Sequence, residues 1–379
     1  MSPPTILLSA GEASSDMYAA RLATDLRERT GAKIFGMGGP RMAEAGVELV
    51  ADYHEVAVVG IAEVLHKIAS VVSVQNRLAR EAVRRKADLA ILVDSPGTHL
   101  GVARRLKPRK IPVGYFIGPQ IWAWRAGRVR IVRRRVKKMV VIFPFEEKLY
   151  RDAGVPVEFV GHPLVDVVKP ELNREQFAAQ QGLDASRPIV TLLPGSRKNE
   201  IARNYPAIVQ ACANLSRGYA AKGGEIQFVH VAAPGLGPEL FAPFAQPGLK
   251  IHRVEGGAYD AFAAADCAIV ASGTATIEAA LLGTPMVVVY RVSAVSAFLA
   301  KPLIRTKFFA MPNLIAGRRL VPELIQHDFT AAAVEAEARR LLDSHDARAE
   351  MRAGLAEVKS RLGEGGAIER AADAFAAML

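Results

Sequence analysis

Short apolar runs alternate with stretches of helical spacing along most of the chain. Residues 5–9, 33–36, 87–93, 112–116, 139–142 and 156–160 are apolar and bounded by Gly, Pro or polar residues. Runs of that kind are strands buried on both faces of a parallel sheet. Residues 56–60 lead into a long helix over about 61–85, where Ile61, Val64, Leu65, Ile68, Val71 and Val72 share one face. Residues 168–172, with Pro170, read as a linker, after which the pattern restarts with strands at 188–193, 227–231, 249–252, 266–270 and 286–290. Residues 311–318 read as an extended loop. The tail is helical and Ala-rich, interrupted at Gly363 and at Gly365-Gly366. Strands alternating with helices predict an α/β protein of two doubly wound, Rossmann-like domains, residues 1–168 and 169–350. Residues 351–379 form C-terminal helices that can pack back on the first domain.

A length of 379 residues agrees with two cores. The net charge of +11 and pI near 9.7 call for an anionic partner: nucleic acid, an acidic membrane or a phosphorylated substrate. Aromatics make up only 7% and are not interleaved with the basic residues, which argues against a base-stacking surface and so against nucleic acid. Cys212 and Cys267 sit in apolar surroundings and read as core residues in a reducing compartment, not as a disulfide or metal site. No apolar run reaches the ~20 residues of a membrane span. The N-terminus passes straight into a strand without a basic leader, so the protein is expected to stay where it is made.

The candidate chemistry sits where strands run into glycine turns. In 271–285, Ser272, Gly273 and Thr274 open a helix carrying Glu278. Small hydroxyls and free N–H groups at a helix start suit a phosphate, and Glu278 can accept hydrogen bonds from ribose hydroxyls. The same residues also read as ordinary helix caps. Arg197 follows a glycine turn at another helix start, where a guanidinium can grip a diphosphate. In the first half, Glu12 and Asp16 follow the first strand, with Ser14 as a helix cap, and Asp16 reads as serving the dipole of its own helix. Asp94 ends a central strand, a position suited to a general base. The helix face at 61–72, with the basic run that includes Arg125 and Arg128, forms a possible contact with an anionic membrane. No metal-spaced His/Cys cluster, P-loop or nucleophile elbow is present in the sequence.

Taken together, AGEASSD at 10–16, GGPRM at 38–42, VGIAEVL at 59–65, WAWR at 122–125, FVGHP at 159–163, LLPGSR at 192–197, ASGTATIEA at 271–279 and MPNLIAGR at 311–318 resemble the lipid-A-disaccharide synthases. These are glycosyltransferases of the GT-B class, with two Rossmann-like domains facing across a cleft. The resemblance implies that UDP-2,3-diacylglucosamine donates its sugar, with inversion, to 2,3-diacylglucosamine 1-phosphate (lipid X). It also implies no cofactor or essential metal, peripheral attachment to the cytoplasmic face of the inner membrane, and a homodimer. By motif, Asp94 is the base and Glu12 a second acidic residue at the acceptor. Ser196, Arg197, Ser272, Gly273 and Thr274 hold the diphosphate, Glu278 the ribose, and Asn313, Arg318 and Gln326 lie near the donor. Ile61, Val64, Leu65, Ile68, Val72, Arg125 and Arg128 face the acceptor or membrane. The sequence departs from the family's usual GETSGD by Ser15 in place of the second glycine. It departs from DAPDFN by Gly97, Thr98 and His99 in DSPGTH, with His99 a second proton-acceptor candidate. A UDP-N-acetylglucosamine 2-epimerase, or another UDP-sugar enzyme of the same GT-B architecture, is the competing reading.

Overall fold

The apolar runs form two parallel sheets. The structure, a computed structural model, describes residues 3–56, 64–119, 126–293 and 306–379. Residues 57–60 that lead into the expected long helix, its start at Ile61, the Trp122–Arg125 stretch and the apolar segment 294–303 lie outside them.

The first sheet contains β1 (Thr5–Ala10), β2 (Lys33–Gly38), β3 (Glu48–Asp52), β4 (Leu89–Val93), β5 (Val113–Phe116), β6 (Lys138–Val141) and β7 (Val157–Phe159). Their order is β3-β2-β1-β4-β5-β6-β7, with every pairing parallel. Chain direction across the sheet reverses between β1 and β4, so the crevice that open α/β sheets use for ligands lies at the C-terminal ends of those two strands. β3 is an addition to the expected set: ELVAD has charged ends and only a short apolar centre.

The second sheet contains β8 (Ile189–Leu193), β9 (Gln227–Ala232), β10 (Ile251–Glu255), β11 (Cys267–Ala271), β12 (Met286–Tyr290) and β13 (Glu323–Ile325). The order β10-β9-β8-β11-β12-β13 reverses between β8 and β11. β13, also unexpected, is a three-residue edge strand. Residues 311–318 are not an extended loop: Met311–Ala316 is a helix. Pro312 suits its first turn, Gly317 closes it in the left-handed conformation, and Glu323 accepts from the Phe309 and Ala310 N–H groups at its entry.

The chain divides into two units, residues 1–166 with 362–379, and residues 167–361. The tail therefore parts at Leu362 and not at residue 351, because the helix His345–Arg361 packs on helices of the second unit. The last helix, Ala367–Ala376, packs on the helix Ala13–Thr30 of the first unit. Arg29 pairs with Asp373 at 2.6 Å, and Phe375 lies beneath Gly114 of β5, where an added Cβ would come within 2.5 Å of its ring. Cys212 and Cys267 are buried free thiols.

Candidate functional site

In the first unit the β1–β4 crevice carries the acidic residues. β1 ends at Ala10, and Gly11 brings the loop so close to Ser95 that an added Cβ would lie 2.2 Å from the Ser95 hydroxyl. Glu12 is the N-cap of the helix Ala13–Thr30. The hydroxyl of Ser15, standing where the related pattern has glycine, accepts from the Gly11 and Glu12 N–H groups (3.2 and 3.0 Å) and donates to the Glu12 carbonyl. Ser14 is not the cap; it donates to the Glu12 carboxylate at 2.8 Å. Asp16 does not serve its own helix. Its buried carboxylate accepts from the N–H groups of Gly39, Arg41 and Met42, capping the helix Pro40–Glu44 that follows β2.

Asp94 lies immediately past β4, partly buried and within hydrogen-bonding reach of Glu12. Burial first, and then the Glu12 charge, pushes the Asp94 carboxyl up to about 7, against an opposing backbone hydrogen bond from Ser95. Asp94 and Ser95 both have positive φ (53° and 46°), a conformation that costs side-chain-bearing residues about 1–2 kcal/mol each. His99 is fully buried: Nδ1 lies 2.7 Å from the Asp94 carbonyl and Nε2 lies 2.9 Å from the Ser9 hydroxyl. A carbonyl can only accept, so Nδ1 carries the hydrogen and Nε2 accepts from Ser9. Burial holds the ring neutral, pulling it down to about 4. His99 therefore has no free nitrogen for a substrate proton, which removes it as an alternative base. The buried Tyr115 hydroxyl donates to the same Asp94 carbonyl at 2.6 Å.

The second unit repeats the arrangement. β8 runs into Gly195, which has φ 137° and sits against Glu200; a side chain there would meet the Glu200 Cβ at 2.7 Å. Glu200 accepts from the Ser196 N–H (2.9 Å) and pairs with Arg197 (3.1 Å), and Arg197 remains exposed at the start of the helix Lys198–Ala220. Across the switch point, β11 runs into Ser272. Its N–H is taken by the Val289 carbonyl and its hydroxyl donates to the Phe309 carbonyl, so Ser272 offers a ligand no free donor. Gly273 and Thr274 are exposed beside it. Glu278 is mostly buried; burial raises its carboxyl, while the Tyr259 hydroxyl, at a long 3.5 Å, favours the ionised form. Tyr259 was not anticipated, because only the fold brings it beside Glu278.

Three donor expectations change in character. Asn313 is fully buried, with its amide donating to Val321 and Glu323 and its carbonyl accepting from Leu320 and Val321, so it braces the helix Met311–Ala316 and has nothing left for a ligand. Gln326, at φ 55°, accepts through its side chain from the Val292 N–H at 2.8 Å, extending the β12–β13 pairing. Arg318 is paired with Glu357 at 2.6 Å on the surface.

On the helix Val64–Arg84, which includes Leu65, the apolar positions divide. Val74, Leu78 and Ala82 enter the core, while Ile68, Val72 and Val83 are 54%, 40% and 41% exposed. Arg80, Arg84, Arg104 and Arg109 line an open groove of about 850 Å³ beside Val83. Arg128 is close enough for its charge to act on the Tyr115 hydroxyl; Arg125 lies outside the described residues. No helix of the described residues is long and apolar enough to cross a membrane.

A family model described as lipid-A-disaccharide synthetase matches residues 6–377. A lipid-A-disaccharide synthase from Solibacter usitatus is 45% identical over 99% of this chain and 98% of its own. Among solved structures, a UDP-GlcNAc 2-epimerase from Neisseria meningitidis bound to UDP-GlcNAc superposes with TM-score 0.67 at 13% identity, covering 98% of this chain and 99% of that one. The calicheamicin glycosyltransferase CalG4 gives 0.59 at 17% identity, covering 100% and 99%. These likenesses bear on the fold alone, which is GT-B and is shared by transferases and epimerases.

Proposed function

Because the chain belongs to the lipid-A-disaccharide synthetase family, it is a glycosyltransferase that forms the lipid A disaccharide, and we propose that Asp94 is the base of that reaction. The acceptor is 2,3-diacylglucosamine 1-phosphate and the donor UDP-2,3-diacylglucosamine. Asp94 takes the proton of the acceptor 6-hydroxyl as its oxygen forms the new bond to the anomeric carbon. The bond from that carbon to UDP breaks on the opposite face, the centre inverts to β, and UDP leaves with the electron pair. Arg197 and the N–H groups of Gly273 and Thr274 stabilise the charge gathering on the diphosphate. Glu278 receives the ribose hydroxyls. Ser196, Ser272, Asn313 and Gln326 hold the loops around the donor, and Arg318, paired with Glu357 just past the Met311–Ala316 helix, contributes its charge.

The observation that carries this reading is the Asp94–Glu12 pair at the β1–β4 switch point, with Asp94 titrating near neutrality. A base is most effective when its pKa lies close to the working pH. The exposed Val83, which lines the arginine groove, and the exposed Ile68 and Val72 earlier on the same helix support docking on the anionic cytoplasmic face of the inner membrane, where the acylated substrates reside. The assembly carried over with the family is a homodimer, which light scattering tests.

The deciding assay incubates the purified protein in detergent with both lipid substrates and follows disaccharide 1-phosphate and UDP. Asp94→Asn is expected to bind UDP-sugar and make no product. Full turnover by Asp94→Asn removes Asp94 as base. Conversion of UDP-N-acetylglucosamine to its 2-epimer, with no disaccharide, overturns the transferase assignment.

A further inference from the structure

We infer that His99 and Tyr115 are positioning residues that aim the Asp94 carboxylate by clamping its main-chain carbonyl, and that Ser9 steadies the His99 ring for this task by bonding its other nitrogen. The inference rests on the proposed role of Asp94. Asp94 and Ser95 are consecutive left-handed residues, neither of them glycine, at the tip of a buried strand. Such a backbone persists only where its surroundings over-determine it. Here the Asp94 N–H donates to the Phe116 carbonyl at 2.9 Å. Its carbonyl accepts two hydrogen bonds, 2.6 Å from Tyr115 and 2.7 Å from His99. The helix Pro96–Leu106 then starts on the Ser95 carbonyl, which accepts from the Thr98 and His99 N–H groups.

The three side chains come from three elements: Ser9 from β1, His99 from the helix after β4, and Tyr115 from β5. All are buried, and none reaches the crevice surface. An imidazole of the other tautomer would set a lone pair against the carbonyl lone pairs and repel it. The carbonyl therefore selects the useful form, and the Ser9 hydroxyl satisfies the remaining nitrogen by donating to Nε2. The clamp thus orients the carboxylate through the peptide plane and makes no use of the carboxylate oxygens, which meet the Ser95 N–H and Glu12. Displacing a reacting group by about 1 Å can cost about 10²-fold in rate.

The test uses the full-length protein in the disaccharide-forming assay. Tyr115→Phe keeps the buried ring and removes one donor. His99→Leu removes the other, and His99→Asn restores a side-chain N–H close to the Nδ1 position. Both Tyr115→Phe and His99→Leu are expected to lower kcat about 10-fold or more with the KM for UDP-sugar within about two-fold, and His99→Asn is expected to recover most of the loss. Ser9→Ala is expected to lower kcat in the same way by leaving Nε2 without its partner and loosening the ring. Unchanged kcat in both Tyr115→Phe and His99→Leu overturns the clamp. So does a fall in kcat that His99→Asn does not relieve while circular dichroism and UDP-sugar binding remain those of the parent. Asp94→Asn, run in parallel, separates the two ideas. If it retains activity, the base assignment has failed; if it is inactive while the clamp variants are unaffected, only the clamp has failed.

Discussion

Replacing Glu12 by Gln should move the acid limb of the pH–rate profile to lower pH. Asp94 acts only when ionised, so the wild-type rate should rise through a pKa of about 7 and be lost as pH falls below it. Three causes raise that pKa: burial, the largest, then the Glu12 charge, then a hydrogen bond with the Glu12 side chain. Glu12→Gln removes the second and leaves the first, so the limb should move down without reaching the ordinary carboxylate range. Two charges in contact interact by about 1–4 kcal/mol as the effective dielectric falls from 80 to 20. Glu12 is exposed, which favours the lower end, about 1.4 kcal/mol or one pH unit. At pH 6 the rate, relative to each enzyme's own plateau, should then rise from about one tenth to about one half. Normalisation separates this shift from any change in acceptor binding that lowers the plateau. The assay is initial rate of UDP release from pH 5 to 9 at saturating donor. A limb that stays in place, or moves upward, would refute the argument that Glu12 charge bears on Asp94.

Asp94→Asn should also stabilise the fold under alkaline conditions. A carboxyl raised by the fold contributes stability that is complete below its unfolded pKa and is lost as pH rises through about 7, so the variant should melt higher than wild type at pH 8.5 and alike at pH 4. Arg197→Ala should raise the KM for UDP-sugar about 10- to 100-fold, the worth of a charge-assisted contact to diphosphate, measured by steady-state kinetics. Gly11→Ala should destabilise the first unit by about 1–3 kcal/mol in a urea titration, since its Cβ meets Ser95 at 2.2 Å. Reversing Arg80, Arg104 and Arg109 to Glu should weaken sedimentation with anionic vesicles about 100-fold or more, at roughly 1 kcal/mol per charge removed, and leave detergent-based turnover intact.

The strand-tip positions of Asp94, Arg197 and Ser272 were legible because buried parallel strands announce themselves as apolar runs ending in glycine turns. β3 and β13 were not: ELVAD and ELI are edge strands with too little apolar sequence to separate from loop. The helix Met311–Ala316 was hidden by its shortness and by Pro312, which reads as a breaker until it falls in the first turn. Side-chain partnerships were the least accessible. Asp16 caps a helix 23 to 26 residues away, and His99 meets Ser9 across 90 residues. Distances of that kind follow from sheet order, which local pattern does not encode. Asn313 illustrates the opposite error. A polar residue in a motif suggested ligand contact, whereas its amide is spent on Val321, Glu323 and Leu320.

The first unit is built from both ends of the chain, and this bears on the order of events at the ribosome. Residues 1–166 emerge before the second unit, yet the helix Ala367–Ala376 that covers Gly114 and meets the helix Ala13–Thr30 is translated after it. The second unit, continuous from 167 to 361, can close before its predecessor is complete. During synthesis, then, the domain that holds Asp94 waits with an uncovered apolar face on β5 while nearly two hundred further residues are added. A premature stop after residue 361 would spare the second unit and leave that face permanently bare.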